Sequence, residues 1–196
     1  MIVMPRWPAD SRARLADAAL GLFSERGYST VTVDDIAERA GVTARTFFRQ
    51  FRDKEEVLFA DDDLLLPTLL ETIAEPTGTV AAEPLMERAL GALAEQMQPA
   101  REQLRQRQAI IDSDVALTGR ELAKQAAWQQ AISATLVERG FDAADAGLLA
   151  AIGFALFRRE LHAWLADPTL DAVPLPDRIR VALPSVRTVL DASSGH

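Results

Sequence analysis

The 196-residue sequence contains no cysteine, which excludes a disulfide framework, a thiolate metal site and thiol redox chemistry. Histidine is nearly as scarce. His162 and the terminal His196 are the two present, too few beside scattered carboxylates to build a zinc site. Neither a metal nor a cofactor is expected. His162 has Glu160 close in sequence but on a different helix face, so it reads as a partly buried polar residue rather than a catalytic base. No nucleophile constellation accompanies it. No strand is predicted anywhere, so no glycine-rich phosphate loop follows one. No apolar run approaches the ~20 residues of a membrane span, and Met1-Ile2-Val3-Met4-Pro5-Arg6-Trp7-Pro8 lacks the apolar stretch of a signal peptide. A cytoplasmic protein with no membrane partner is the expectation.

The remaining shortage is of positive charge. A net charge of −8 argues against indiscriminate coating of nucleic acid. The acidity is uneven, however. Residues 1–60 carry nine Lys/Arg and nine Asp/Glu, so the whole excess of acid falls in residues 61–196. A composition of 48% hydrophobic and 26% charged residues is that of an ordinary globular protein with a real core.

What is there is concentrated between Thr32 and Phe51. Thr32 suits a helix N-cap, and Asp35 three residues on completes a capping box. Ile36, Ala37 and Ala40 then share one face, and Gly41 ends the helix by taking a positive φ. Thr43 caps a second short helix in which Phe47 and Phe51, four apart, point into a core and leave Ala44, Arg45, Arg49 and Gln50 on the other side. From Arg39 to Lys54 there are five cations (Arg39, Arg45, Arg49, Arg52, Lys54) against Asp53, a local surface that suits a polyanion. Two such helices and a tight turn form a helix–turn–helix, whose second helix enters the DNA major groove. Thr43 and Ala44 are small enough for close approach, and Arg45 has the fork geometry for guanine O6 and N7. Thr43, Ala44 and Arg45 are therefore the candidate base contacts. Thr32, Arg49, Gln50 and Lys54 are the candidate phosphate or mixed contacts, and Thr46 and Phe48 complete the candidate DNA-binding set.

At these residues the chain resembles the DNA-binding domain of the TetR family of bacterial transcriptional regulators. The likeness runs from Arg14 to Leu58 and includes Phe23, Gly27-Tyr28, the Thr-x-x-x-Ile-Ala-x-x-Ala-Gly-Val core and the exit Phe51-Arg52-Asp53-Lys54-Glu55. One departure matters. Where the family usually has tyrosine this chain has Phe48, which cannot donate to a phosphate, and the following His or Tyr position is Gln50.

The rest of the sequence reads as helices. Asp10 or Ser11 is expected to cap a first helix through Leu15, Ala18, Ala19, Leu22 and Phe23, after an N-terminal arm whose Arg6 and Arg12 are positioned to touch DNA or simply fray. Asp53 with Glu56 opens a helix through Val57, Leu58 and Phe59 towards Ile73, with a kink or break expected near Leu65–Leu66 before Pro67. Residues 75–79 form a loop. Helices follow from Pro84 and Pro99, the latter with Arg101, Arg105 and Arg107 mostly on its outer side. An irregular stretch covers residues 112–118, and a helix runs over residues 121–139. Asp142, with Asp145 as partner, caps the most apolar segment of the chain, a helix to about Ala166. A last helix passes through Ile179 and Val186, bent or interrupted at Pro184.

The fold expected is all-α: residues 1–52 as arm and three-helix DNA-binding domain, and residues 53–196 as a larger helical ligand-binding and dimerisation domain. Leu69, Leu93, Met97, Trp128, Phe154, Phe157 and Arg158 are the candidate pocket residues. The resemblance implies a dimer built on the last two helices, which assigns Leu148, Ile152, Leu156, Trp164, Ile179, Leu183 and Val186 to the interface. It also implies a repressor that binds a palindromic operator in double-stranded DNA as a homodimer and is released by a small apolar effector. The runs Arg45–Arg49 and Arg120–Ala131 are similar to a subgroup that includes the mycofactocin-associated regulators, which points to an acyl-CoA or lipid-like ligand. An activator of the same fold, a helical enzyme and a protein-binding scaffold are the alternatives.

Overall fold

A computed structural model describes residues 8–60, 62–75, 81–169 and 173–193, without the side chains of residues 8–10, 62–63 and 185–193. Among the described residues there are nine α-helices and no strand: α1 (Pro8–Arg26), α2 (Val33–Arg39), α3 (Ala44–Gln50), α4 (Asp62–Ala74), α5 (Ala82–Met97), α6 (Arg101–Asp112), α7 (Val115–Glu138), α8 (Ala143–Ala166) and α9 (Leu175–Ser193). The all-α expectation holds. The arm with Arg6, most of the loop after Glu75 and the side chain of Val186 lie outside the described residues.

The chain divides into two compact units, Met1–Asp63 with Gln106–Glu121, and Leu64–Arg105 with Leu122–His196. The first unit therefore includes the end of α6 and the start of α7, which the sequence reading placed in the second domain. Its core holds Leu15, Ala19, Leu22 and Phe23 of α1, Ile36 of α2, Phe47 and Phe51 around α3, and Val57, Leu58 and Phe59 after it. Ile110, Ile111 and Leu117 from the later segment close this core. No local pattern in residues 1–60 shows that their apolar surface needs a covering drawn from fifty residues further on.

The second unit buries Leu69 and Ile73 of α4, Leu85, Leu90 and Leu93 of α5, Ile132 and Leu136 of α7, Phe154, Phe157 and Trp164 of α8, and Leu175 and Ile179 of α9 in one cluster. Helix α8 packs tightly on α5 at Gly153, where an added Cβ would stand 2.2 Å from Met86 Cε. Arg101 ties the start of α6 to the end of α8. Its guanidinium donates to Trp164 O at 2.8 Å and Thr169 O at 3.0 Å, and to the Asp167 carbonyl. It also stacks 5.3 Å from the Trp164 ring centroid. These bonds occupy carbonyls that a helix C-terminus leaves without a backbone partner.

Several local expectations change. Helix α1 already runs from Pro8, so neither Asp10 nor Ser11 is its cap. Asp53 Oδ1 accepts from Glu56 N at 2.8 Å, but Glu56 Oε2 accepts from Arg52 N at 2.6 Å rather than from Asp53 N, so the expected capping box is only half made. They open only a 3-10 turn, Glu55–Phe59, before the chain restarts as α4. Pro67 sits inside α4 and Pro184 inside α9, and neither interrupts its helix. The stretch 112–118 is mostly helical, because the Asp114 carboxylate accepts from Ala116 N at 2.8 Å and lets α7 begin at Val115. Asp142 caps α8 as expected, accepting from Ala144 N at 2.8 Å.

Candidate nucleic-acid interface

Helices α2 and α3 have seven residues each, too short to be stable alone in water. Caps and the core beneath hold them. Thr32 Oγ1 accepts from Asp35 N at 3.2 Å, while Asp35 Oδ2 accepts from Thr32 N at 2.8 Å and from the Thr32 hydroxyl. The Thr32 hydroxyl and amide hold the Asp35 carboxyl below its ordinary pKa, against a small opposing effect of burial. Gly41 follows α2 with φ of 66°, a left-handed conformation that costs a side chain but not glycine. Val42 N then bonds Ala37 O at 2.9 Å and turns the chain into α3. Thr43 Oγ1 accepts from Thr46 N at 3.3 Å and lies 3.2 Å from Thr46 Oγ1.

Phe47 and Phe51 anchor α3, with rings 5.4 Å apart, and are 0% and 2% exposed. The opposite surface carries Arg45, Phe48 and Arg49, all exposed, with Ala44, Thr46 and Gln50 half-buried at its edges. Neither Arg45 nor Arg49 has a hydrogen-bond or ion-pair partner among the described residues. Their guanidinium groups are available to a ligand. Arg39 is engaged instead, with two bonds to Glu25 at 2.7 and 3.1 Å. Those bonds draw the Glu25 carboxyl below its ordinary pKa.

Lys54 is partly committed as well. Its Nζ donates to Tyr28 O at 2.9 Å and Val31 O at 3.0 Å and stands 4.1 Å from the Tyr28 ring centroid. It therefore clips the loop before α2 to the segment after α3. Tyr28 donates its hydroxyl to Glu55, and burial, that bond and the Glu55 charge push its pKa up. Arg120 of α7 completes the group, 2.9 Å from Asp53 and 3.9 Å from Glu55. Burial raises the Asp53 carboxyl, but Arg120 and the Glu56 amide outweigh it and leave the pKa below its ordinary value.

Sequence reasoning missed four arginines that position this surface. Arg12, expected in a loose arm, lies in α1, donates to the Gln50 carbonyl and sits 4.4 Å from the Phe51 ring centroid. Arg14 donates to Ala40 O at 2.6 Å. Arg107 turns inward, donating to Leu58 O and lying 4.9 Å from the Phe59 ring centroid. Arg120 is the fourth. The partners of these side chains are 26 to 67 residues away, so no short-range pattern announces them.

Elsewhere the placements are mixed. Leu69, Leu93, Met97, Phe154 and Phe157 meet in the second unit's core, with Trp128 packed against it 6.1 Å from the Phe154 ring. Arg158 is half-buried. A cavity of about 410 Å³ lies instead between α5 and α9, lined by residues including Glu87, Arg88, Glu95 and Arg180. Of the interface candidates, Leu148 and Ile152 are exposed on α8 at 59% and 38%. Leu156, Trp164 and Ile179 are 6%, 0% and 0% exposed, turned into their own protomer, and Leu183 is half-buried. Those three follow α8 and α9 inward, a direction that an all-apolar helix does not reveal. Among the described residues no group of three or more metal-binding side chains is gathered, and no helix is long and apolar enough to cross a membrane.

Residues 15–60 match the family model described as bacterial regulatory proteins, tetR family. The transcriptional regulator HbdR of Aromatoleum sp. (strain CIB) is 35% identical over 72 residues, which are 37% of this chain and 30% of HbdR. The chain thus spans about a third of the length of that curated relative. Two solved structures cover most of both chains. SmeT of Stenotrophomonas maltophilia in complex with triclosan has a TM-score of 0.64 at 22% identity, covering 91% of this chain and 90% of SmeT. FadR from Bacillus subtilis in complex with stearoyl-CoA has a TM-score of 0.62 at 18% identity, covering 88% and 95%. Each is described as a transcriptional regulator or repressor, and none as an enzyme. Residues 15–60 are thus similar to the DNA-binding segment of tetR-family bacterial regulatory proteins, and the chain as a whole shares its helical fold with these solved structures.

Proposed function

We propose that the chain is a cytoplasmic, ligand-responsive transcriptional repressor that binds a palindromic operator as a homodimer. The observation that carries this reading is the unpaired cationic face of α3: Arg45 and Arg49 exposed, on a helix whose start is capped by Thr43 and whose opposite side is locked in a core. In DNA, Thr43, Ala44 and Arg45 take the base edges, and Thr32, Thr46, Arg49 and Gln50 the backbone. Lys54 has one proton left for a phosphate after its two carbonyls.

Two copies of α3 must reach successive major grooves about 34–36 Å apart. The exposed apolar face of α8, with Leu148, Ala151, Ile152 and Ala155, is the surface through which a second copy sets that distance. Unpaired, it leaves an apolar stripe in water. For the effector, the apolar cluster around Trp128 and Phe154 favours a small apolar or lipid-like molecule, and the bound stearoyl-CoA of the FadR structure makes an acyl-CoA the first to try. A ligand acts only by binding one state better than another. Gel-shift titration against the chain's own upstream DNA tests the reading. A sequence-specific complex weakened by the effector is expected; no specific complex at moderate salt refutes it.

A further inference from the structure

Phe48 is the one large apolar side chain standing out of the α3 surface. It is 58% exposed, while Phe47 beside it and Phe51 beyond it are buried. Its ring is not loose: it meets Phe47 edge to face at 5.5 Å. Within the helix it lies four residues after Ala44 and three after Arg45, and so stacks one turn along from both. That stripe begins with the small residues that allow α3 to approach base edges. A phenyl ring there has no donor or acceptor for a phosphate oxygen or for a base nitrogen, and water is a poor environment for it. In the major groove the apolar group that distinguishes one base pair from another is the C5 methyl of thymine. Arg45 and Arg49, one turn apart on the exposed face beside the ring, supply the charge that brings it against the groove floor.

We infer that Phe48 reads a thymine methyl in each half-site and is a specificity-determining residue of the interface. This rests on the DNA-binding reading above.

The test starts with selection of preferred duplexes from a random DNA pool by the full chain. Each thymine of the selected half-site is then replaced, one at a time, by deoxyuridine, which removes the methyl alone, and affinities are measured by fluorescence anisotropy at fixed salt. One position per half-site should weaken binding about fourfold, the worth of one buried methyl group. Phe48→Ala should bind less tightly and show no difference between thymine and deoxyuridine at that position. Phe48→Leu, apolar but smaller, should retain a reduced difference, which serves if circular dichroism shows the alanine variant unfolded. Indifference of the wild type to every methyl overturns the inference, as does a difference undiminished in Phe48→Ala or, where that variant is unfolded, in Phe48→Leu. A Phe48→Ala that loses affinity equally on both duplexes places the ring on the sugars instead and also overturns it. Failure to select any sequence removes the regulator reading and this inference with it, whereas a selected sequence without methyl dependence removes the inference alone.

Discussion

Residues 106–121 belong to the first unit, and the pair Arg107–Glu121 tests whether they are needed there. Glu121 is the one buried charged residue among those described, at 9% exposure. Its carboxylate lies 3.5 Å from Arg107 Nη1 and 3.4 Å from Gln108 Nε2. Arg107 also donates to the Leu58 carbonyl and covers the Phe59 ring. Removing one partner of a fully buried pair costs ~3–5 kcal/mol, because the other charge is left without compensation. Here the side chains retain 20% and 12% exposure, and Arg107 keeps its carbonyl, so Glu121→Leu should cost about 2–3 kcal/mol. Arg107→Met should cost a similar amount, since it strips Leu58 O of its donor and leaves Glu121 with Gln108 alone.

The double variant Arg107→Met, Glu121→Leu removes both charges and adds apolar volume. Its stability should return to within about 1 kcal/mol of wild type, because replacing a buried ion pair by apolar residues is often neutral. The assay is urea unfolding followed by far-UV circular dichroism on all four proteins, with the coupling energy taken from the cycle. In parallel, operator affinity should fall in both variants that lack Arg107, since its bond to the Leu58 carbonyl and its cover on Phe59 hold the segment behind α3. Costs that simply add in the double variant would refute the reasoning, and so would single variants within about 0.5 kcal/mol of wild type.

Other expectations follow from individual contacts. Arg45→Ala should cost ~1–3 kcal/mol of operator binding and relax preference at one base pair, measured by binding to single-base operator variants; equal losses on all sequences would contradict its role. Lys54→Ala should weaken all sequences alike, flatten the salt dependence by about one phosphate, and lower thermal stability too, because two loop carbonyls lose their donor. Thr43→Ala should destabilise the start of α3 by about 1 kcal/mol and Thr43→Ser by much less, as read by hydrogen exchange of residues 44–47. Asp53 has a folded pKa below its ordinary value of 3.8, so its contribution is fully present above that value and fades as pH falls through the lower folded pKa. The stability gap between wild type and Asp53→Asn should stay constant from neutral pH to about pH 5 and close in more acidic solution.

The α2–turn–α3 segment was legible because its determinants are local. Thr32 and Asp35, Gly41, Thr43 and the Phe47–Phe51 spacing each act within four residues, and each appears in the fold as expected. The lapses share a different cause. Asp53 accepts from Glu56 N, yet only a short 3-10 turn follows, since capping chemistry fixes where a turn begins and not how far it runs. Pro67 and Pro184 stay inside continuous helices because tertiary packing outweighs a local cost of ~3 kcal/mol. In α8, almost all-apolar, Leu148 and Trp164 look alike in sequence but face opposite ways. Only neighbours on α5 and α9 decide which side is inner.

The same division explains the electrostatics of the interface. Summing charges from Arg39 to Lys54 treats the five cations as equivalent, yet the fold sorts them. Arg39 is spent on Glu25 and Lys54 on two carbonyls, while Arg45 and Arg49 on α3 and the exposed Arg52 after it are left over. A short helix of seven residues cannot hold two unpaired guanidinium groups near each other by its own stability. The holding falls to Arg12 beneath Gln50 and Phe51, Arg14 beneath Ala40, and Arg107 and Arg120 behind the following turn. Arg107 and Arg120 are offset by the carboxylates of Glu121 and Asp53, whereas Arg12 and Arg14 are fixed on carbonyls that do not cancel their charge. The reading surface thus depends on more arginines than it shows, and removing a hidden one should lower operator affinity together with stability. Loss of Arg45 or Arg49 should lower affinity alone.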